Sequence, residues 1–188
     1  MLSHLNIRSN TESIVGYLGL TAADRVMVVL PFHYVYGLSL LNTHMYAGGS
    51  LVIDNRFAFP NLVLGAMQRH AVTGFAGVPS TFAILLSRSA VAKMTFPALR
   101  YVTQAGGPMA PARLREWQDA VPGVPFYVMY GATEAAARLA CLEPAELRDR
   151  MGSIGRAIPN VELLVLGQDG QAVEPGQVGE IVARGSNI

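Results

Sequence analysis

Five consecutive residues, Tyr130-Gly131-Ala132-Thr133-Glu134, set an aromatic ring, a glycine hinge, a hydroxyl and a carboxylate in one short window. They follow the apolar run Pro125-Phe126-Tyr127-Val128-Met129, which reads as a buried strand. At the carboxyl end of a parallel strand, such groups suit a nucleotide and its metal. A base can stack on the ring, a hydroxyl can reach a phosphate, and a carboxylate can take a share of Mg2+. The same window also suits a plain strand-to-turn junction with a surface glutamate, and spacing alone does not choose between the two.

Composition narrows the field. The chain has 188 residues, enough for one ordinary domain with its own core. Apolar residues make up 51% and charged residues only 14%, which points to a heavily buried sheet. A net charge of +1 gives no electrostatic footprint for nucleic acid. The single cysteine, Cys141, excludes an internal disulfide and fits a reducing compartment. No run approaches the ~18 apolar residues of a membrane span, and the first residues lack the pattern of a signal peptide. A cytoplasmic protein is expected. Thirteen of the fourteen basic residues are arginine, so chemistry that needs a lysine must use Lys93. Lys93 stands in Ala92-Lys93-Met94-Thr95-Phe96-Pro97, which reads as a surface loop.

The elements that must position these groups alternate. Helical spacing runs from Ile7 to Leu18, and Thr21 to Asp24 reads as a turn with helix-start chemistry. Val26 to Leu30 is a continuous apolar run closed by Pro31, as in a strand covered on both faces. Leu38 to Tyr46 reads as a helix ended by Gly48-Gly49, Leu51 to Asp54 as a strand, and Asn61 to His70 as a helix. Val72 to Val78 is strand-like, and Pro79-Ser80-Thr81 opens another helix. Arg100 to Thr103 reads as a strand, Pro111 to Ala120 as an amphipathic helix carrying Trp117, and Pro125 to Met129 as the last strand of the series.

This alternation predicts an α/β fold: a mostly parallel sheet with helices on both faces. Right-handed crossovers then gather the strand-end loops on one edge. Those loops are Pro31 to Gly37, Gly77 to Thr81, Ala105 to Met109 and Tyr130 to Glu134, the same segments that hold the unusual residues. We therefore read residues 1–142 as a nucleotide- and acyl-binding subdomain. Residues 143–188 read as a connecting loop and the beginning of a small antiparallel β unit. In it, the strands Val161 to Leu166 and Glu180 to Arg184 are joined by hairpin chemistry. The polypeptide is expected to continue, and the open sheet edges of such a piece lead us to expect self-association.

The order of these loops resembles the adenylate-forming superfamily of acyl-CoA synthetases, firefly luciferase and peptide-synthetase adenylation domains. Leu30-Pro31-Phe32-His33 through Gly37 is similar to the family loop that carries a mobile aromatic or His beside the acyl pocket. Gly77-Val78-Pro79-Ser80-Thr81 is similar to its Val-Pro-Pro/Ser-Thr turn, and Ala105-Gly106-Gly107-Pro108-Met109 to its diglycine loop. Tyr130 to Glu134 matches its Tyr-Gly-x-Thr-Glu signature. Gly152-x-x-Gly155-x-x-Ile158-Pro159 and Gly179-Glu180-Ile181 through Arg184-Gly185 match two further motifs.

The resemblance implies that Tyr130 stacks on adenine, Thr133 contacts phosphate and Glu134 binds Mg2+. Gly106, Gly107 and Gly131 would let backbone approach the nucleotide, and His33 would gate the acyl pocket. Thr133, Glu134 and His33 are thus the expected catalytic residues. Taken by itself, His33 also suits a half-buried histidine after a strand. Met109 and Met129 read as core, and His44 has no partner legible in the sequence. The small Ala135, Ala136 and Ala137 suit either room for an acyl chain or an alanine-rich helix start. One departure is that Val128 and Met129 stand where family members often carry Asn or Gln toward the adenine amino group.

The expected activity is an AMP-forming ligation of a carboxylic acid, with a lean toward an aliphatic or fatty one, to CoA or a carrier thiol such as an acyl carrier protein. ATP/AMP, Mg2+ and coenzyme A are the implied cofactors. The family's Ser/Thr/Gly phosphate loop and its lysine-bearing C-terminal domain are absent from this sequence, so the 188-residue chain alone is expected to be inactive. A non-catalytic nucleotide-binding or interaction module is the alternative. No Gly-x-Gly-x-x-Gly or Gly-x-Ser-x-Gly run supports a Rossmann oxidoreductase or an α/β-hydrolase.

Overall fold

A computed structural model describes residues 1–188. Five parallel strands carry the alternating part: β1 (Arg25–Val28), β2 (Ser50–Ile53), β3 (Gly74–Gly77), β4 (Tyr101–Gln104) and β5 (Phe126–Tyr130). Two more, β6 (Ala140–Leu142) and β7 (Arg156–Ala157), continue the same sheet antiparallel. The seven-stranded order is β2-β1-β3-β4-β5-β6-β7. A separate antiparallel pair, β8 (Val161–Leu166) and β9 (Glu180–Gly185), follows. The predicted α/β architecture is therefore present, with one addition. β5 is not the last strand of the large sheet, because the apolar stretch Leu139 to Leu142 returns along it.

Local chemistry sets the helix starts. Ser3 caps α1 (His4–Leu18) reciprocally with Asn6, so the helix begins before the expected Ile7. A proline occupies the first turn of α3 (Pro60–Arg69), α4 (Pro79–Arg88) and α5 (Pro111–Ala120), where its missing N–H costs nothing. α2 (Val35–Ala47) starts three residues earlier than its apolar run suggests, and this turns half of the Pro31–Gly37 loop into helix. A short α6 (Pro144–Leu147) follows β6.

Alternation along the strands divides the core. Met27, Phe75, Val102, Phe126 and Leu142 face α3, α4, α5 and α6 in the larger cluster. Val26, Val28, Ala76, Met129 and Cys141 face the other way, against Tyr36 and Leu40 of α2. Trp117 and Phe82 meet edge to face with centroids 4.8 Å apart, and Phe82 lies 5.2 Å from Phe126. No helix is long and apolar enough to cross a membrane.

Polar clamps close the amino ends of the strands. The residues Thr21 to Asp24, read as a turn with helix-start chemistry, form a turn that leads into β1. Asp24 accepts from the Thr21 N–H at 2.8 Å and from Thr73 at 2.9 Å, and pairs with Arg100 at 2.8 Å. Burial pushes the Asp24 carboxyl up, but these bonds outweigh it and hold the group below its ordinary value. His44, without a legible partner in the sequence, is 1% exposed and bonded at both nitrogens. Its Nδ1 lies 2.9 Å from the Leu40 carbonyl, which can only accept. Nδ1 therefore carries the proton, and Nε2 accepts from the Tyr101 hydroxyl at 2.9 Å.

Burial lowers the pKa of His44, against the opposing pull of the Leu40 carbonyl and Asp24. Below the ordinary value of 6.5, the unfolded chain then takes up this proton before the folded one. Stability should fall as pH drops from 6.5 toward the depressed folded value, and the decline should be shallower in His44→Gln. Urea midpoints measured across that window check this. Replacing Tyr101 by Phe strands Nε2 and should cost about 1–3 kcal/mol at pH 7 in the same assay.

Candidate functional site

The carboxyl ends of β1, β4 and β5 open onto one cavity of about 540 Å3. The loop after β1 and the first turn of α2 contribute Tyr34, Val35 and Tyr36. The loop after β4 contributes Ala105 to Met109. The end of β5 and its loop contribute Val128 to Thr133, then Ala137 and Arg138. Gly152, Ser153 and Ile154 close one side. The volume lies within the range of ligand pockets, ~300–1,000 Å3. Of the sequence-predicted residues, Gly106, Gly107, Tyr130, Gly131 and Thr133 all line it.

The loop after Tyr130 has a tightly fixed path. A short 3-10 turn spans Thr133–Ala135, and Ala136 and Ala137 then take positive φ values of 53° and 110°. The alanine-rich segment is thus a reversal and does not start a helix. The Ala137 N–H reaches the Ala132 carbonyl at 3.3 Å, and the Leu139 N–H reaches the Tyr130 carbonyl at 2.9 Å. These bonds turn the chain back so that β6 pairs with β5. The returning backbone passes directly over Gly131. A Cβ there would collide with the Ala137 carbonyl and come within 2.9 Å of Arg138 Cα. Only glycine fits, and the constraint comes from the chain itself.

The diglycine loop is held from below. Gln104, fully buried at the end of β4, donates from Nε2 to the Gly107 carbonyl at 2.8 Å. Gly106 has φ 83°, and a Cβ there would lie 2.5 Å from the Tyr34 hydroxyl. Gly107 has no such constraint: a Cβ would meet Pro79 at an ordinary 3.6 Å. The Gly77–Thr81 turn stays out of the cavity lining and buttresses Gly106 through Val78.

The remaining expected residues sit elsewhere. Glu134 is exposed on the 3-10 turn beside Thr133, outside the lining. His33 is exposed in the turn before α2, also outside the lining, while its neighbours Tyr34 to Tyr36 face in. Met109 and Met129, read as core, are buried and also line the cavity. No cluster of three or more His, Cys, Asp or Glu side chains could hold a metal by itself. A lone exposed carboxylate such as Glu134 fits an ion held mainly by substrate phosphates and waters, the usual habit of Mg2+.

Sequence reasoning passed over Tyr34, Tyr36 and Arg138. Arg138 had a legible signal: it is the one charged residue in the apolar run Ala135-Ala136-Ala137-Arg138-Leu139-Ala140-Cys141-Leu142. Its side chain is 2% exposed, and its guanidinium lies 4.7 Å from the Tyr36 ring centroid.

Comparison with known proteins bears on this geometry. The model of the family described as AMP-binding enzyme matches residues 1–188. An indoleacetate–CoA ligase of Aromatoleum aromaticum is 31% identical over all of this chain, which covers 36% of that protein. A 2-succinylbenzoate–CoA ligase of Bacillus subtilis is 31% identical over 91% of the chain and 34% of its own length. The solved o-succinylbenzoate coenzyme A synthetase of Bacillus subtilis, in complex with ATP and magnesium ion, superposes with a TM-score of 0.88 at 29% identity. That match covers all of this chain and 38% of the other. The chain thus spans about a third of the length of the relatives it matches. Together with the strand-end cavity, the match over every residue places the chain in the AMP-binding enzyme family.

Proposed function

We propose that the intact protein is an AMP-forming carboxylate–CoA, or carrier-thiol, ligase acting on an acid with an apolar body in a reducing, cytoplasmic compartment. The observation that carries this reading is the gathering of Gly106, Gly107, Tyr130, Gly131 and Thr133 around one cavity, with Glu134 at its rim. The solved relative that holds ATP and magnesium supports it.

In this reading the substrate carboxylate attacks the α-phosphate of ATP, releasing pyrophosphate and forming an acyl-adenylate, and a thiol then displaces AMP. The residues of this chain mainly bind and orient. Tyr130 and the Gly106–Gly107 backbone sandwich the base, and Thr133 donates its hydroxyl to phosphate. Glu134 would hold Mg2+, which supplies charge neutralisation at the phosphates. Tyr34, Tyr36 and Met129 enclose the acyl part. His33, exposed ahead of α2 and outside the lining, would act in this reading as a gate to the acyl part. Val128 and Met129 offer no amide to adenine, so a backbone carbonyl must take that role.

Apart from Arg138, no Lys or Arg lines the cavity, and Lys93 is exposed on a separate 3-10 turn. The cationic help at the α-phosphate must therefore come from chain outside these residues. The 188-residue chain by itself should release pyrophosphate no faster than background, and brisk turnover by it would overturn that expectation. The full-length protein should release pyrophosphate with at least one acid from a panel of aliphatic and aromatic carboxylates. In it, Tyr130→Ala should raise the KM for ATP by roughly 10-fold or more, the loss of one base–ring stack. Glu134→Gln should lower kcat by about 10² to 10³ with the fold intact by circular dichroism. Wild-type rates in both variants would refute the assignment of the site.

A further inference from the structure

Arg138 is a buried cation without a counter-charge. Seven ion pairs form in the molecule and none includes it. No Asp or Glu lines the cavity into which it faces. Its Nε is fully enclosed and meets no acceptor. The enclosed Oδ1 atoms of Asn10 and Asn187 do not reach it, because both are themselves without a donor. Tyr17 is close enough for its phenol oxygen to accept from the guanidinium, but it carries no charge, and its own proton goes to Met129 Sδ at 3.1 Å. The surrounding acidic groups are all neutral at pH 7. Burial pushes the Tyr36 phenol and the Cys141 thiol each up to about 12, and raises Tyr17 as well. What remains is the neutral Tyr17 hydroxyl and the Tyr36 ring at 4.7 Å, contacts that compensate only part of the desolvation of a guanidinium.

The mounting is rigid. The Arg138 carbonyl accepts from Asn10 Nδ2 of α1 at 2.7 Å and from Asn187 Nδ2, just past β9, at 2.9 Å. Two distant segments therefore fix the backbone of this residue, and no carboxylate meets its five donors. It also sits deep. Gly106, Gly107, Gly131, Thr133 and Glu134 are exposed at the rim, where phosphate chemistry is proposed. Arg138, Tyr36 and Met129 are 2%, 2% and 5% exposed and form the floor. A carboxylate reacting at the rim leaves the other end of its acid pointing at the floor.

Resting on the ligase reading above, we infer that the acid carries a second carboxylate at its far end, and that Arg138 receives it through charge-assisted hydrogen bonds. The substrate class is thus a dicarboxylic acid with an apolar middle: one carboxylate is activated at the rim while the other is held at the floor. An acid with only an apolar tail would leave the guanidinium enclosed and unpaired, at the cost of a stranded buried charge.

The test uses the full-length protein with straight-chain diacids and the monocarboxylates of the same length. Pyrophosphate release gives kcat/KM, and calorimetry with each acid gives binding independently of turnover. Wild type should favour the diacid by roughly 10- to 100-fold, the worth of a charge-assisted pair. Arg138→Met should erase that ratio, and Arg138→Lys should keep part of it. A wild-type preference for the monocarboxylate overturns the inference and leaves the ligase reading standing, even if the variants fail to fold. Equal losses on both acids in Arg138→Met would assign the guanidinium to the reacting carboxylate and likewise overturn it. If no acid releases pyrophosphate, the ligase reading fails. Calorimetric diacid preference that Arg138→Met removes would still support the floor site, and its absence would sink that too.

Discussion

The crossing of the Ala137 backbone over Gly131 is the constraint on which the rest of the site depends. Because the chain doubles back there, Tyr130 stays at the cavity edge, Thr133 lies on the rim, and Arg138 becomes part of the floor. The same reversal aligns β6 antiparallel to β5, with Tyr130 opposite Ala140. One steric contact thus fixes both the rim and the floor, and it does so in a loop whose two consecutive left-handed alanines are not a resting conformation. The hydrogen bonds that close the turn hold those alanines in place.

The sheet supplies what the loop cannot. Its two faces are apolar and separately packed, so the polar work is pushed to the strand ends. At the amino ends the polar groups satisfy one another: Asp24 with Arg100, Thr21 and Thr73, and His44 with Tyr101 and Leu40. At the carboxyl ends they do not. Gln104 Oε1 and Arg138 Nε are both enclosed without partners. An interior that saturates one edge and leaves the other wanting is organised around something that arrives from outside.

Much of this was legible in the sequence. The apolar runs Val26 to Leu30 and Pro125 to Met129 located β1 and β5, because strands covered on both faces need unbroken hydrophobicity. The Gly-rich and Tyr-Gly-x-Thr-Glu segments marked loops that the right-handed crossovers then gathered. β6 and β7 were not legible. Ala140–Leu142 and Arg156–Ala157 are too short to carry a period, and they exist as strands only because β5 offers an edge. Thr21 to Asp24 read as a turn with helix-start chemistry, because a backbone N–H donating to an Asp three residues on serves a turn as well as a helix start. The partners of His44 lie 57 residues away at Tyr101 and on its own helix, which no local spacing announces.

Trp117, the chain's one tryptophan, is 3% exposed and walled in by Phe75, Phe82 and Phe126 on the α3–α5 side of the sheet. The floor of the cavity belongs to the opposite side. Indole fluorescence in this chain therefore reads the integrity of one hemisphere. Loosening of α5 would uncover the indole and shift its emission.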